Sequence, residues 1–112
     1  MRFVRALLVP WMLSSSLAAC AGRLCHGESQ FDEGQYPAAK ETFAGLEAQS
    51  REWDSSGQAQ YALFRGLTHA ALGDRAKAGV WLRGAKAIEE AHPGSLSPID
   101  VRRLKVGLEA LD

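Results

Sequence analysis

Gly34-x-Tyr36-x-x-Ala39-x-x-x-Phe43-x-x-Leu46 and Gly73-x-Arg75-x-x-Ala78-x-x-x-Leu82-x-x-Ala85 are the two stretches that decide the fold. They lie 39 residues apart and repeat one spacing of small and large apolar side chains. A further glycine stands seven residues before each turn glycine, Gly27 before Gly34 and Gly66 before Gly73. Steps of three and four residues put Ala39, Phe43 and Leu46 on one helix face, and Ala78, Leu82 and Ala85 on the matching face of another. Gly66 facing Ala78 would let two antiparallel helices approach closely. Phe43 and Leu82 would then fill the space beneath the next helix.

The rest of the chain after residue 20 reads the same way. Ala, Leu, Glu, Gln, Lys and Arg dominate it, β-branched residues are scarce, and no strand-like alternation appears. Stop and start signals divide it into five helices. Gly34 and Pro37 separate a helix over Ala21–Glu33 from one over Pro37–Gln49. Ser55 and Gln58 have capping-box spacing and open Ser56–Leu72. Gly73-Asp74 makes a short turn, with Asp74 placed to cap Arg75–Ala91. His92-Pro93-Gly94 stops that helix, and Ser97-Pro98-Ile99-Asp100 starts the last one, to about Leu111. Val101, Leu104, Leu108 and Leu111 give this last helix one narrow apolar stripe. Arg102, Arg103 and Lys105 lie off the stripe and are expected in solvent, as is Glu89 on the helix before.

The doubled pattern resembles the tetratricopeptide repeat, a helix–turn–helix unit usually of about 34 residues. Gly27, Gly34, Tyr36, Ala39, Phe43, Gly66, Gly73, Ala78, Leu82 and Ala85 are the repeat-packing positions, and Leu72-Gly73-Asp74 is a turn typical of the family. The departures are specific. Arg23 and Ala62 stand where the family has tryptophan, and Gln30 and His69 where it has tyrosine. Arg75 replaces the aromatic residue after the turn, and extra residues around Arg51-Glu52-Trp53 separate the units. The resemblance implies an all-α fold: antiparallel hairpins stacked as about two repeats, residues 22–50 and 56–93, with a capping helix over 97–111. It also implies a peptide-binding face on the first helix of each unit. Carried onto the second unit, that face is Gln60, Leu63, Leu67 and Ala70, whose spacing shares one side of a helix. Leu63 and Leu67 could equally be core. Trp53 and Trp81 are further candidate anchors, Trp53 the less constrained of the two.

The amino-terminal segment carries a second resemblance. Arg2 and Arg5 precede an apolar run over Ala6–Leu13, which is followed by three serines and then Leu17-Ala18-Ala19-Cys20. The order of positive, apolar and small residues is that of a secretory signal, and the apolar run is too short to span a membrane. Leu17-Ala18-Ala19-Cys20 resembles the lipobox of bacterial lipoproteins. That implies a signal peptide over residues 1–19, cleavage before Cys20, and a covalent lipid on Cys20. Proteins of this kind carry two or three acyl chains there, enough for stable anchoring. Ala21 after the cysteine leans toward the outer membrane over the inner one. Cleavage after Ala21 without lipid is the alternative, and a Cys20–Cys25 disulfide is a competing use of both sulfurs.

Charge and motifs narrow the function. The part after residue 19 keeps 11 of 13 basic residues and all 13 acidic ones, so no basic surface of the kind nucleic acid needs is expected. His26, His69 and His92 share no metal-ligand spacing, and no nucleophile elbow, phosphate loop or zinc-protease motif occurs. Asp32-Glu33 and Glu89-Glu90 are neighbours on helices and point about 100° apart, so neither pair converges on one atom. The expectation is therefore a protein with no enzyme activity, no small-molecule substrate and no cofactor beyond the lipid. It is a lipid-anchored adaptor at the periplasmic face of a bacterial envelope, binding a protein or peptide partner. Proteins that combine a lipobox with such repeats include secretin pilotins and outer-membrane assembly factors. A secreted, non-lipidated helical protein is the alternative.

Overall fold

A computed structural model describes residues 22–112. Residues 1–21, which hold the expected signal peptide and Cys20, lie outside the described residues. The described residues form six helices and no strand: α1 Arg23–Asp32, α2 Tyr36–Gly45, α3 Glu47–Ser50, α4 Ser55–Ala71, α5 Arg75–Ala91 and α6 Pro98–Glu109. The expected all-α hairpin architecture is the one observed.

The two turns are built alike. Gly34 and Gly73 adopt φ of 79° and 86°, where a Cβ would be strained. In the first turn the Gly34 N–H donates to the Phe31 carbonyl and the Gln35 N–H to the Gln30 carbonyl. In the second, Gly73 donates to Ala70 and Asp74 to His69, the same Schellman pair 39 residues later. The close approaches also repeat. A Cβ on Gly27 would lie 2.6 Å from the Phe43 ring, and one on Gly66 2.8 Å from the Leu82 side chain and 3.0 Å from its backbone nitrogen. Each glycine thus admits the large apolar residue of its own hairpin's second helix. Ala78 is fully buried, but Leu82 provides the groups nearest Gly66. The expected Gly66–Ala78 pairing is replaced by Gly66–Leu82, because a glycine makes room for a whole leucine.

The core is continuous across the units. Ala39, Phe43, Ala59, Leu63, Leu82 and Ala85 have no exposed surface. Tyr36 is half-buried against Phe31, with ring centroids 5.4 Å apart. Tyr61 is the hub between hairpins. Its ring meets Phe43, Trp53 and Trp81 edge-on at 6.0, 5.8 and 5.6 Å, and its hydroxyl donates to the Phe43 carbonyl. Trp53 is therefore packed, and the extra residues between the units serve to deliver it. The Phe43 carbonyl also accepts the Leu46 N–H at 3.0 Å, a tight turn that ends α2 and sets α3 apart. The continuous helix expected to Gln49 is broken there.

Two caps fall as expected and one moves. Asp74 Oδ1 accepts Lys77 N–H at 3.1 Å, and Ser97 Oγ accepts Asp100 N–H at 3.2 Å. At α4 the cap is Asp54, whose Oδ1 accepts Gly57 N–H at 2.8 Å. Ser55 lies inside the helix, and Gln58 donates backwards to the carbonyls of Arg51 and Trp53. An aspartate one residue earlier offers the stronger acceptor.

α4 packs on both helices of the first hairpin, and α6 packs on both helices of the second. The start of α4 meets the end of α5, where Ser95 Oγ and Ser55 Oγ are 3.1 Å apart. Arg75 at the start of α5 donates to the carbonyls of Ala110 and Leu111 just beyond α6, so α6 runs antiparallel to α5. By its position α6 is the first helix of a third unit.

Candidate functional site

The face expected to bind a partner is partly covered. Leu63 is fully buried. Leu67 is half-buried beneath Gly107 of α6, where an added Cβ would lie 3.0 Å from Leu67 Cδ2. Gln60 and Ala70, also half-buried, flank them, and Gln60 Nε2 donates to Ser56 Oγ at 3.4 Å. α1 closes the other side. Phe31 meets Phe64 edge-on at 5.6 Å, and Arg103 of α6 lies 5.3 Å over the same Phe64 ring. Arg103 also reaches Asp32 at 3.8 Å and Asp100 at 4.0 Å. Arg103, expected in solvent, keeps 39% of its side chain exposed and also forms a clasp that joins α1 to α6.

Glu28 stands beside this clasp with Oε2 buried and without a hydrogen-bond partner. Burial, then the charges of Asp100 and Asp32, push its carboxyl up to about 7, against the opposing pull of Arg103. His69 is also buried with Nδ1 unpartnered, and burial followed by the Arg65 charge pulls it down, so it is a neutral packing residue. Arg65 donates to Glu47 Oε1 at 2.9 Å and Tyr61 Oη at 2.7 Å and lies 4.4 Å over Trp81. Its hydrogen bond holds Glu47 below the usual carboxylate range. Glu89 is not a bystander: its two oxygens accept the N–H groups of Gly94 and Leu96, which lowers its pKa and fixes the loop before α6. Among the described residues no group of three His, Cys, Asp or Glu could hold a metal ion.

An open concavity lies elsewhere, between α5 and α6. It is a groove of about 490 Å³. Val101, Leu104, Leu108 and Leu111 form its floor, the expected stripe of the last helix. Leu104 is buried, whereas Val101 is 39% exposed and open to contact. The rim is charged on both sides. Arg83 and Lys86 come from α5, and Lys105 from α6. Glu89 and Glu90 stand at one end, Glu109 and Asp112 at the other. None of these seven charges takes part in the five ion pairs of the described residues, although both oxygens of Glu89 are held by the Gly94 and Leu96 N–H groups. An apolar floor inside a polar rim is the anatomy of a protein-binding patch.

No family model, curated protein or solved structure matches the chain. The site therefore has to be read from its own geometry. The stripe on α6 is visible in the sequence as a spacing of three and four residues, but its role as a groove floor is not. The partner wall of the groove, Arg83 to Glu90, carries no apolar signal of its own. Only the antiparallel return of α6 brings the two walls together. Cys20, the residue expected to carry the lipid, lies outside the described residues. No helix among the described residues is long and apolar enough to cross a membrane.

Proposed function

We propose that this protein is a lipid-anchored envelope adaptor that binds a protein partner in the groove between α5 and α6. The observation that carries the reading is the apolar floor ringed by charges that have no ion-pair partner within the described residues. The repeat resemblance supports a binding scaffold, since stacked hairpins present extended surfaces. The lipobox resemblance of Leu17–Cys20 supports the anchor, and with it a place on the periplasmic face of a bacterial membrane, the outer one favoured by Ala21. The α5–α6 groove is preferred to Gln60, Leu63, Leu67 and Ala70 as the binding surface, because Leu63 is buried and α6 packs against Leu67.

The alternative is a secreted, non-lipidated helical protein, in which a Cys20–Cys25 disulfide would use the sulfur that a lipid needs.

The test of the adaptor reading is photo-crosslinking in intact cells of a bacterium that expresses the full chain. A photoreactive residue at Val101 or Leu108 is expected to give one discrete crosslinked product in the membrane fraction. The same residue at exposed Ala48 is expected to give none. Equal labelling at all three positions would remove the groove from the proposal.

A further inference from the structure

We infer that the groove takes a single amphipathic helix, seated as the second helix of a third hairpin, with its charges ordered basic, acidic, basic along its length. This rests on the adaptor reading and deepens it. The seat follows from the packing. α6 lies on α4 and α5 as α4 lies on α1 and α2, so α6 holds the place of a first helix. In both complete hairpins a second helix runs back along the first. The groove beside α6 is open to a helix that runs antiparallel to α6, with α5 as its other wall.

The size agrees. From Val101 to Leu108 the floor spans seven residues of helical rise, about 10 Å, or about two turns of an occupying helix, and Leu111 just beyond α6 extends it. The floor offers four apolar side chains at three- and four-residue spacing. That is the surface an apolar helical stripe interdigitates with.

The charge order identifies the occupant. Because α5 and α6 are antiparallel, Glu89 and Glu90 mark the end near Val101, and Glu109 and Asp112 mark the end near Leu111. Arg83, Lys86 and Lys105 fall between them. The rim thus reads acidic, basic, acidic, and reads the same in either direction. Two copies of this chain placed groove to groove would set carboxylate against carboxylate and cation against cation, in both orientations. An anionic bilayer surface would meet four carboxylates. A helix with lysines or arginines at both ends and glutamates or aspartates in the middle matches all three zones. Basic residues in its last turn would also suit its own dipole.

The experiment uses the full chain with Cys20 replaced by serine for solubility, and two fluorescent 17-residue helical peptides. Both peptides carry one leucine stripe. One has lysines at the ends and glutamates in the centre; the other exchanges lysine and glutamate at every position. Anisotropy is expected to show the first binding about ten-fold tighter at low salt, as a few rim pairs allow. The advantage should collapse near 1 M salt. Lys105→Glu should narrow the ratio between the peptides, and Val101→Asp should weaken both. Both positions are exposed, so the fold is retained, which circular dichroism verifies. Equal affinities, or no binding by either peptide, would overturn the inference. So would self-association of the chain that Val101→Asp abolishes, because the occupant would then be a second copy. Crosslinking at the groove in cells without peptide binding would overturn the helix and leave the adaptor standing. Peptide binding without cellular crosslinks would do the reverse.

Discussion

Replacing Gly66 by alanine adds one methyl group at a close helix–helix approach. The new Cβ would sit 2.8 Å from Leu82 Cγ and Cδ2 and 3.0 Å from the Leu82 backbone nitrogen. Leu82 is fully buried, so its side chain has no free space to enter, and the backbone of α5 would have to shift. Overpacking of this kind costs about 1–3 kcal/mol. Alanine is also a better helix former than glycine by about 1 kcal/mol, which acts in the opposite direction. Gly84 supplies the reference, because it lies within α5 and a Cβ there meets nothing within 4 Å. Gly84→Ala should therefore raise stability by about 1 kcal/mol. The separation between the two variants should be about 1–3 kcal/mol, and each kcal/mol moves the melting temperature of a domain this size by about 4–8 °C. Gly27→Ala should behave like Gly66→Ala, softened because only the Phe43 ring stands in the way. Thermal and urea unfolding of the three variants measures this directly. Gly66→Ala melting together with Gly84→Ala would refute the close-approach geometry on which the repeat rests.

Glu28→Gln tests the clasp between α1 and α6. The Glu28 carboxyl is raised from 4.5 to about 7 in the fold, so the folded protein holds its proton more tightly than the unfolded chain. Its stabilising contribution is complete below about pH 4.5 and is lost as pH rises to about 7, a change of about 1–2 kcal/mol after allowance for the solvent around a half-buried group. The stability of the wild type relative to the Glu28→Gln variant should fall across that window; a flat difference would count against the buried, unpartnered Oε2. Asp54→Ala should cost about 1 kcal/mol and Ser55→Ala about 0.5 kcal/mol or less, since the first removes the cap of α4; the reverse order in urea unfolding would restore Ser55 as the cap. Arg65→Lys should lose about 1–2 kcal/mol, because an ammonium cannot bond Glu47 and Tyr61 while stacking on Trp81; an unchanged melting temperature would show the stacked fork to be idle.

The hairpins were legible because their signals are local. Gly34 and Gly73, Asp74 and Ser97 act on their own neighbours, and the 39-residue offset repeats the turn glycines. What the sequence did not show depends on contacts between distant helices. Leu63 and Leu67 have the spacing of a binding face and of a core alike, and only the return of α6 decides between them. Arg103 and Glu89 look like solvated charges in a helical pattern. Arg103 becomes a clasp because Asp32 and Phe64 are brought beneath it, and Glu89 a loop anchor because the chain turns back at Gly94. The groove was half legible: the α6 stripe is a pattern, whereas the α5 wall is made of charges that announce nothing until they face it.

The central claim is a membrane-tethered adaptor, and the mass of the mature protein tests it most directly. The full chain is expressed in a bacterium, recovered from the membrane fraction in detergent, and its amino-terminal peptide is weighed without reduction. The account predicts a chain that begins at Cys20 and carries the mass of a diacylglyceryl group on that cysteine. A water-soluble chain that begins at Gly22, or one in which Cys20 is joined to Cys25 with no acyl mass, would contradict it.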